Sequence, residues 1–409
     1  MTMKDGDTKP VLDMVKDMDE RGRSIIDMYL ESPLPLCAIA PMCRKKVVAM
    51  ADHLAIIGED VRTCVGLQDE RLEAEKHTTY ERGNGAVLDT LTVWRAHRLG
   101  LLASIKEWFG NLYIPQSVFD ELLEMRAEAE FNSKRDFMTI GYNDDGQAFR
   151  TMHSVKDGKA DVAMIDAAIS DVQDHCTAMP VDKADDLDLG SQIADFDASL
   201  LIDPVLLARS ENCLLLSDEL NVRQFAAQYG VQKSAWLQTV AKTLAANEEI
   251  PVNQYYMSVA RLAVSRHGHI SLDAPTLIGI LVHDHEYAFE YFQAATRYIG
   301  GPKAEMISHI ETVKNFMLLV FHANLPDWQK GRAMGLLLNR LIKARSDWLA
   351  VLHILEGQLR ELTRHSYAAE RAWLYMIDWL RGHFIDLALV RADPLAKPKK
   401  KHGKSKKQK

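Results

Sequence analysis

The sequence predicts an α/β fold, a parallel sheet with a helical N-terminal region before it and an α-helical domain after it. Three observations carry this reading. "GAVLDTLTVWRAHRLGLL" and "NLYIPQSVFDELLEMR" each pass at once from a short apolar run into helical periodicity, the texture of parallel βα units. "CLLLSDELNVRQFAAQYG" repeats that order at 213–230. Beyond Gly230 the strand signature stops and apolar residues recur at helical spacing.

Taken in order, residues 10–80 read as helices around one short strand. "PVLDMVKDMDERGRSIIDMYL" has helical spacing, "SPLPLCAIAP" reads as a proline-punctuated loop, and "RKKVVAMADHLAIIG" is a helix closed by Gly58. "DVRTCVG" reads as a strand and "DERLEAEKHTTYERG" as a polar, acid-started helix. The two βα units follow, with Pro115 at the second join. Alternating runs around Asn143-Asp144-Asp145-Gly146 then predict a β-hairpin inserted near 136–154. Residues 157–203 hold twelve aspartates and read as an acidic helix, a loop and a further helix from about Ile193. In "DWLAVLHILEGQLREL" a stripe of Trp348, Leu352, Leu355, Leu359 and Leu362 marks an amphipathic helix. Similar patterns at 235–248, 252–266, 303–323, 328–345 and 367–390 suggest a bundle, with Gly300-Gly301-Pro302 as the clearest break. The expected division is 1–58 helical, 59–230 α/β, 231–391 helical, and 392–409 a lysine-rich tail.

Composition is that of a soluble globular protein, with 47% apolar and 26% charged residues. No apolar run approaches the roughly 18 residues of a membrane span, so no membrane association is expected. The charged "MTMKDGDTKPVLDMVKD" lacks a signal-peptide core. Five scattered cysteines (Cys37, Cys43, Cys64, Cys176, Cys213) form no C-x-x-C pair, which points to reduced thiols, a cytoplasmic setting and no cysteine zinc site. The tail "KPKKKHGKSKKQK" carries eight lysines, and without it the formal charge falls from −8 to −16. Such a polycation, Lys399, Lys400 and Lys401 included, neutralises phosphates without reading sequence. The alternative is a solubilising tail or one that contacts the acidic body.

Chemistry is concentrated in acids at strand ends. Asp89 follows "AVL", Glu121 lies in the first turns after "YIP" with Asp120 beside it, and Asp218 and Glu219 follow "CLLLS". Ligands of open parallel sheets bind at the carboxyl ends of the strands, so these acids can converge. Clustered carboxylates repel unless a cation joins them, and Mg²⁺ or Mn²⁺ suits oxygen ligands. Such a site activates water and stabilises the leaving oxygen of a phosphodiester. Each acid also has a plain structural reading, as a helix N-cap or a dipole-favoured residue of a first turn.

These residues resemble the PIN-domain nucleases over roughly 85–230, about a third of the chain. "AVLD" is similar to the family's first strand with its leading aspartate, "IPQSVFDELL" to the unit that supplies its glutamate, and "LLLSDELNVR" to its closing strand. More narrowly, that exit with the following "SAWLQTVAKTL" and "HGHISLDAPTL" looks like PIN proteins of bacterial conflict and defence loci. The resemblance implies a Rossmann-like sheet and a metal-dependent nuclease, RNA rather than DNA being the favoured substrate. Asp89, Glu121, Asp203 and Asp218 would be the metal and catalytic set, with Ser217 or Glu219 positioning a water. Asp203 stands 15 residues before Asp218, a short spacing for the family, with Asp195 and Asp197 as rivals. Should none of the three turn inward, the alternative is a degenerate PIN-like scaffold that binds protein or nucleic acid through its helical domain.

Other motifs carry less. Arg223 is read either as a substrate-phosphate contact or as a salt bridge to a nearby acid. His283, Asp284, His285 and Glu286 lack the i, i+4 spacing of a metal helix, and His267 and His269 flank a turn at Gly268. Arg44, Lys45 and Lys46 start a helix as a solvated basic face or a phosphate contact.

Overall fold

The computed structural model describes residues 9–142, 146–181, 198–284, 288–301 and 305–385. Asp195, Asp197, His285, Glu286, Asn143, Asp144, Asp145 and the tail with Lys399, Lys400 and Lys401 lie outside them. The chain divides into two compact units, Met1–Ile270 and Ser271–Lys409.

In the first unit the leading helices are α1 (Lys9–Glu31), α2 (Leu36–Met42), α3 (Val47–Ile57) and α4 (Gln68–Tyr80). "SPLPLCAIAP", read as loop, is in fact mostly α2. Pro41 falls in its last turn, and the helix stops one residue later. Gly58 closes α3 at φ 86°, a left-handed position that favours glycine. "DVRTCVG" forms no strand but a single parallel bridge from Val61 to His267. Its next carbonyls are spent elsewhere, that of Arg62 accepting from the Leu220 N–H and that of Thr63 from Arg223.

The α/β core then begins with β1 (Ala86–Leu88), α5 (Thr90–Leu99), α6 (Leu102–Phe109), β2 (Leu112–Pro115) and α7 (Gln116–Asn132). The predicted hairpin is β3 (Phe137–Tyr142) paired with β4 (Ala148–His153), and it joins α7 to α8 (Val155–His175). After β5 (Thr177–Met179) come α9 (Ser199–Ser210), β6 (Leu214–Leu216), α10 (Leu220–Gln228) and β7 (Ser234–Ala235). Helices α11 (Leu237–Ala246) and α12 (Val252–Val264), read from sequence with the helical domain, lie in this first unit. Strands β5 and β7 went unread because three and two residues are too few to show a period.

The sheet has five strands in the order β5-β2-β1-β6-β7, all pairs parallel. The chain builds outward from β1 through β2 to β5, then returns to the far side of β1 for β6 and β7. The order therefore reverses between β1 and β6, the switch point beside which ligands of open sheets bind. Register runs Val87↔Leu215 and Leu88↔Leu216, which sets the exits of these two central strands side by side. Both strands are wholly buried, as continuous apolar runs in a parallel sheet must be. One face of the sheet packs on α1, α2, α3 and α9 through Tyr29, Leu36, Ile39, Met50, Leu54 and Val205, together with Val87 and Leu215.

The second unit comprises α13 (Ala274–His283), α14 (Glu290–Thr296), α15 (Met306–Leu319), α16 (Asp327–Lys343), α17 (Trp348–Leu362) and α18 (Tyr367–Gly382). The predicted stripe buries Leu352, Leu355 and Leu359 of α17, while Ile310, Val313, Phe316 and Leu338 fill the same core from α15 and α16. Asp284 ends α13 and accepts from the Phe292 N–H at 2.8 Å, which gives that acid a structural place. Among the described residues no helix is long and apolar enough to cross a membrane.

Candidate functional site

Asp89 leaves β1 as the N-cap of α5, with Oδ1 accepting from the Thr92 N–H at 2.7 Å. Its other oxygen, Oδ2, is buried and has no hydrogen-bond partner among the described residues. Burial pushes this carboxyl up, and the charge of Asp218 adds to that, against the pull of the Ser217 and Thr92 hydroxyls.

The exit of β6 delivers three polar residues at once. The Ser217 hydroxyl accepts from the Glu219 N–H at 3.1 Å, a local turn that sends the two acids in different directions. Asp218 is fully buried and saturated. Its N–H donates to the Thr92 hydroxyl at 2.7 Å, Oδ1 accepts from the Leu237 N–H at 2.9 Å, and Oδ2 faces Arg95 Nη1 at 3.3 Å and His267 Nε2 at 3.4 Å. Burial alone would raise its carboxyl, but His267, Arg95 and the Leu237 amide bring it down to about 2.

Glu219 turns the other way, toward Asp89. It is 3% exposed, and its Oε1 accepts from the backbone N–H of Leu36 at the start of α2. Burial first, and then the charge of Asp89, push this carboxyl up to about 8. Two acids at one switch point thus have opposite environments: Asp218 is paired with the Arg95 guanidinium, while the charge of Asp89 bears on Glu219.

The remaining residues singled out from sequence are placed as follows. Glu121 is 7% exposed and accepts from the Val47 N–H and from Lys46 Nζ, both at 3.1 Å, at the start of α3. Asp203 is half-buried in α9 and accepts from the Ser117 hydroxyl at 2.6 Å. Arg223, read in part as a phosphate contact, is buried. It donates to the carbonyls of Ser217 and Thr63, lies 4.8 Å from the Trp236 ring and reaches Glu70 at 3.7 Å, so the salt-bridge reading describes it. Thr92 and Arg95 escaped notice, and His267 was read only as flanking a turn at Gly268. Thr92 stood three residues after a strand-end aspartate, the position from which a capped helix answers its cap. No local pattern marks Arg95, and none ties His267 to Asp218.

A divalent cation can be tested against these donors. Among the described residues no group of three or more His, Cys, Asp or Glu side chains is arranged to hold one. Mg²⁺, however, is commonly held by one or two carboxylates, with waters and substrate phosphates completing its shell. Asp89, with a buried oxygen that no described residue hydrogen-bonds, and Glu219, whose carboxyl its charge raises, fit that description. Asp218 fits less well, since the Arg95 guanidinium already faces it.

An open parallel sheet whose first and closing strands bring acids together at the switch point places the domain in the α/β class. Residues 87–228 match the family described as the PIN domain associated with the TPR-GreAB-C-PIN system, so that segment is a PIN domain. PIN domains are generally nucleases. No curated protein and no solved structure matches the chain.

Proposed function

We propose that this protein is a metal-dependent ribonuclease of a bacterial conflict or defence system. The observation that carries the reading is the convergence of the buried acids Asp89, Asp218 and Glu219 at the exits of the adjacent central strands β1 and β6, inside the segment that matches the PIN family. Asp89 and Glu219 would hold Mg²⁺ or Mn²⁺, which supplies charge neutralisation at a phosphodiester and a more acidic bound water. Hydrolysis joins the water oxygen to phosphorus and breaks one P–O ester bond, the departing oxygen taking up a proton. Asp218 stays ionised throughout and holds Arg95 and His267 in place beside the pair. Thr92 ties the two strand exits together, its N–H on Asp89 and its hydroxyl on the Asp218 N–H. Burial and the charge of Asp89 raise the Glu219 carboxyl, which would give up its proton to serve as a ligand.

The test is cleavage of end-labelled RNA and DNA with Mn²⁺ or Mg²⁺ by the full chain and by Asp89→Asn and Glu219→Gln. We expect cleavage of RNA and a loss of about 100-fold or more in each variant, the scale of a catalytic electrostatic contact. Cleavage undiminished in both variants removes the site assignment. A scaffold without catalysis is favoured by one observation, the pairing of Asp218 with Arg95. Its signature is nucleic-acid binding without metal-dependent cleavage under any condition that exposes the site.

A further inference from the structure

The pair Asp89 and Glu219 is out of reach of any polymer. Asp89 is 4% exposed and Glu219 3%, although both lie at the sheet edge where an open fold presents its ligand site. What covers them is the chain from the end of α1 to Thr63. Tyr29, Leu36 and Ile39 of this segment are fully buried, and Cys37 nearly so.

The manner of covering is specific. Neither α2 nor α3 has a side-chain cap of its own. Their N-cap positions are Pro35 and Lys46, residues with no acceptor to offer a helix amide. Each borrows a carboxylate from the α/β core instead. Leu36, the first residue of α2, donates its N–H to Glu219, and Val47, the first residue of α3, donates its N–H to Glu121. Lys46 adds its ammonium to Glu121 and also reaches Glu124. Two helix starts and a lysine therefore hold two acids of the α/β core, Glu219 of the proposed site and Glu121 of α7.

The segment is also latched. Arg62 donates to the carbonyls of Leu30 and Ser32, its own N–H meets the Tyr29 hydroxyl at 3.0 Å, and its carbonyl accepts from the Leu220 N–H at 2.8 Å. Asn221 Nδ2 holds the Leu34 carbonyl at 2.6 Å. Arg62 thus joins the loop after α1 to the first turn of α10, directly beside Glu219.

We propose that residues 29–63 form an autoinhibitory cover, and that the conformation described here is the closed state. Lifting α2 and the start of α3 frees Glu219 and Glu121 together and opens Asp89 to a phosphodiester. The inference rests on the nuclease reading, and its test separates the two.

Cys37, next to Leu36, is a built-in reporter of opening. The full chain is compared with Arg62→Ala and Lys46→Ala, following alkylation of Cys37 by iodoacetamide with site-resolved mass spectrometry and cleavage of labelled RNA in Mn²⁺. We expect both variants to alkylate Cys37 and to cleave at least ten-fold faster than the wild type, with the gain in cleavage abolished by adding Asp89→Asn. Faster alkylation with cleavage no greater than the wild type's overturns the cover. In that event wild-type cleavage that needs Asp89 leaves the nuclease reading standing, and no cleavage in any form removes both. Unchanged alkylation in both variants also overturns the proposal, because the named contacts then do not hold the segment. Should the variants fail to fold, amide exchange of the wild type decides. Leu36 and Val47 are expected to exchange at least ten-fold faster than Val87 and Leu215, and equal rates would mean that the segment opens only when the domain unfolds.

Discussion

Asp218 and Glu219 are neighbours in sequence, yet their buried carboxyls have opposite fates, and substitution separates them. Asparagine at 89 keeps an acceptor for the Thr92 amide and relieves the repulsion with Glu219. Asp89→Asn is therefore expected to abolish cleavage while leaving the melting temperature unchanged or higher. Asparagine at 218 instead leaves Arg95 buried beside His267 without its counter-charge, a loss of about 3 kcal/mol or more in urea unfolding. Glu219 carries a pH signature. Its carboxyl moves from an ordinary 4.5 to about 8 in the folded chain, so between those values the native state holds a proton that the unfolded chain has lost. Raising the pH through that window must then favour unfolding. Urea midpoints of the wild type are expected to fall relative to Glu219→Gln from about pH 5 to pH 8, and a constant difference would remove this account. Glu219 was legible in the sequence as a strand-end acid. Its raised carboxyl was not, because that depends on Asp89 and on burial under α2, which approaches from 183 residues away.

The joints between elements decide which side chains meet. The bridge from Val61 to His267 brings the turn after α12 against the segment that follows α3. Gly268 makes this approach possible, since a Cβ there would lie 2.3 Å from the Val61 carbonyl oxygen. Gly268→Ala is thus expected to cost about 1–3 kcal/mol by overpacking and to draw His267 away from Asp218, measurable as a lowered melting temperature and a shifted His267 ring resonance. The βα units and the hairpin were legible because their periods and turn residues are local. The strand expected at "DVRTCVG" was not realised, for its carbonyls serve α10 and Arg223 rather than a neighbouring strand. The helix in "SPLPLCAIAP" was hidden by its prolines, and it forms because Glu219 and the core hold its first turn.

Across the whole molecule the dominant asymmetry is charge, a body of −16 against a tail of eight lysines. An acidic body alone repels nucleic acid, so attraction is assigned to the tail. Truncation after Ala396 is expected to weaken RNA binding and to reduce its log–log salt slope by up to about 6, the value for eight lysines on a single strand. An unchanged slope would dismiss the tail as a nucleic-acid contact.

By itself the sequence determined the parallel α/β core, its PIN resemblance, the hairpin insertion and the helical periodicity that follows, all of which rest on patterns spanning a few residues. It also placed acids at the ends of the strands, because strand exits are local features. Only the tertiary structure decided which acid stays charged and which is left unsatisfied. Those outcomes depend on partners such as Arg95, His267 and Leu36, brought in from distant segments by packing. The same packing closed the N-terminal helices over Asp89 and Glu219, since helices without caps of their own are held by the carboxylates they meet.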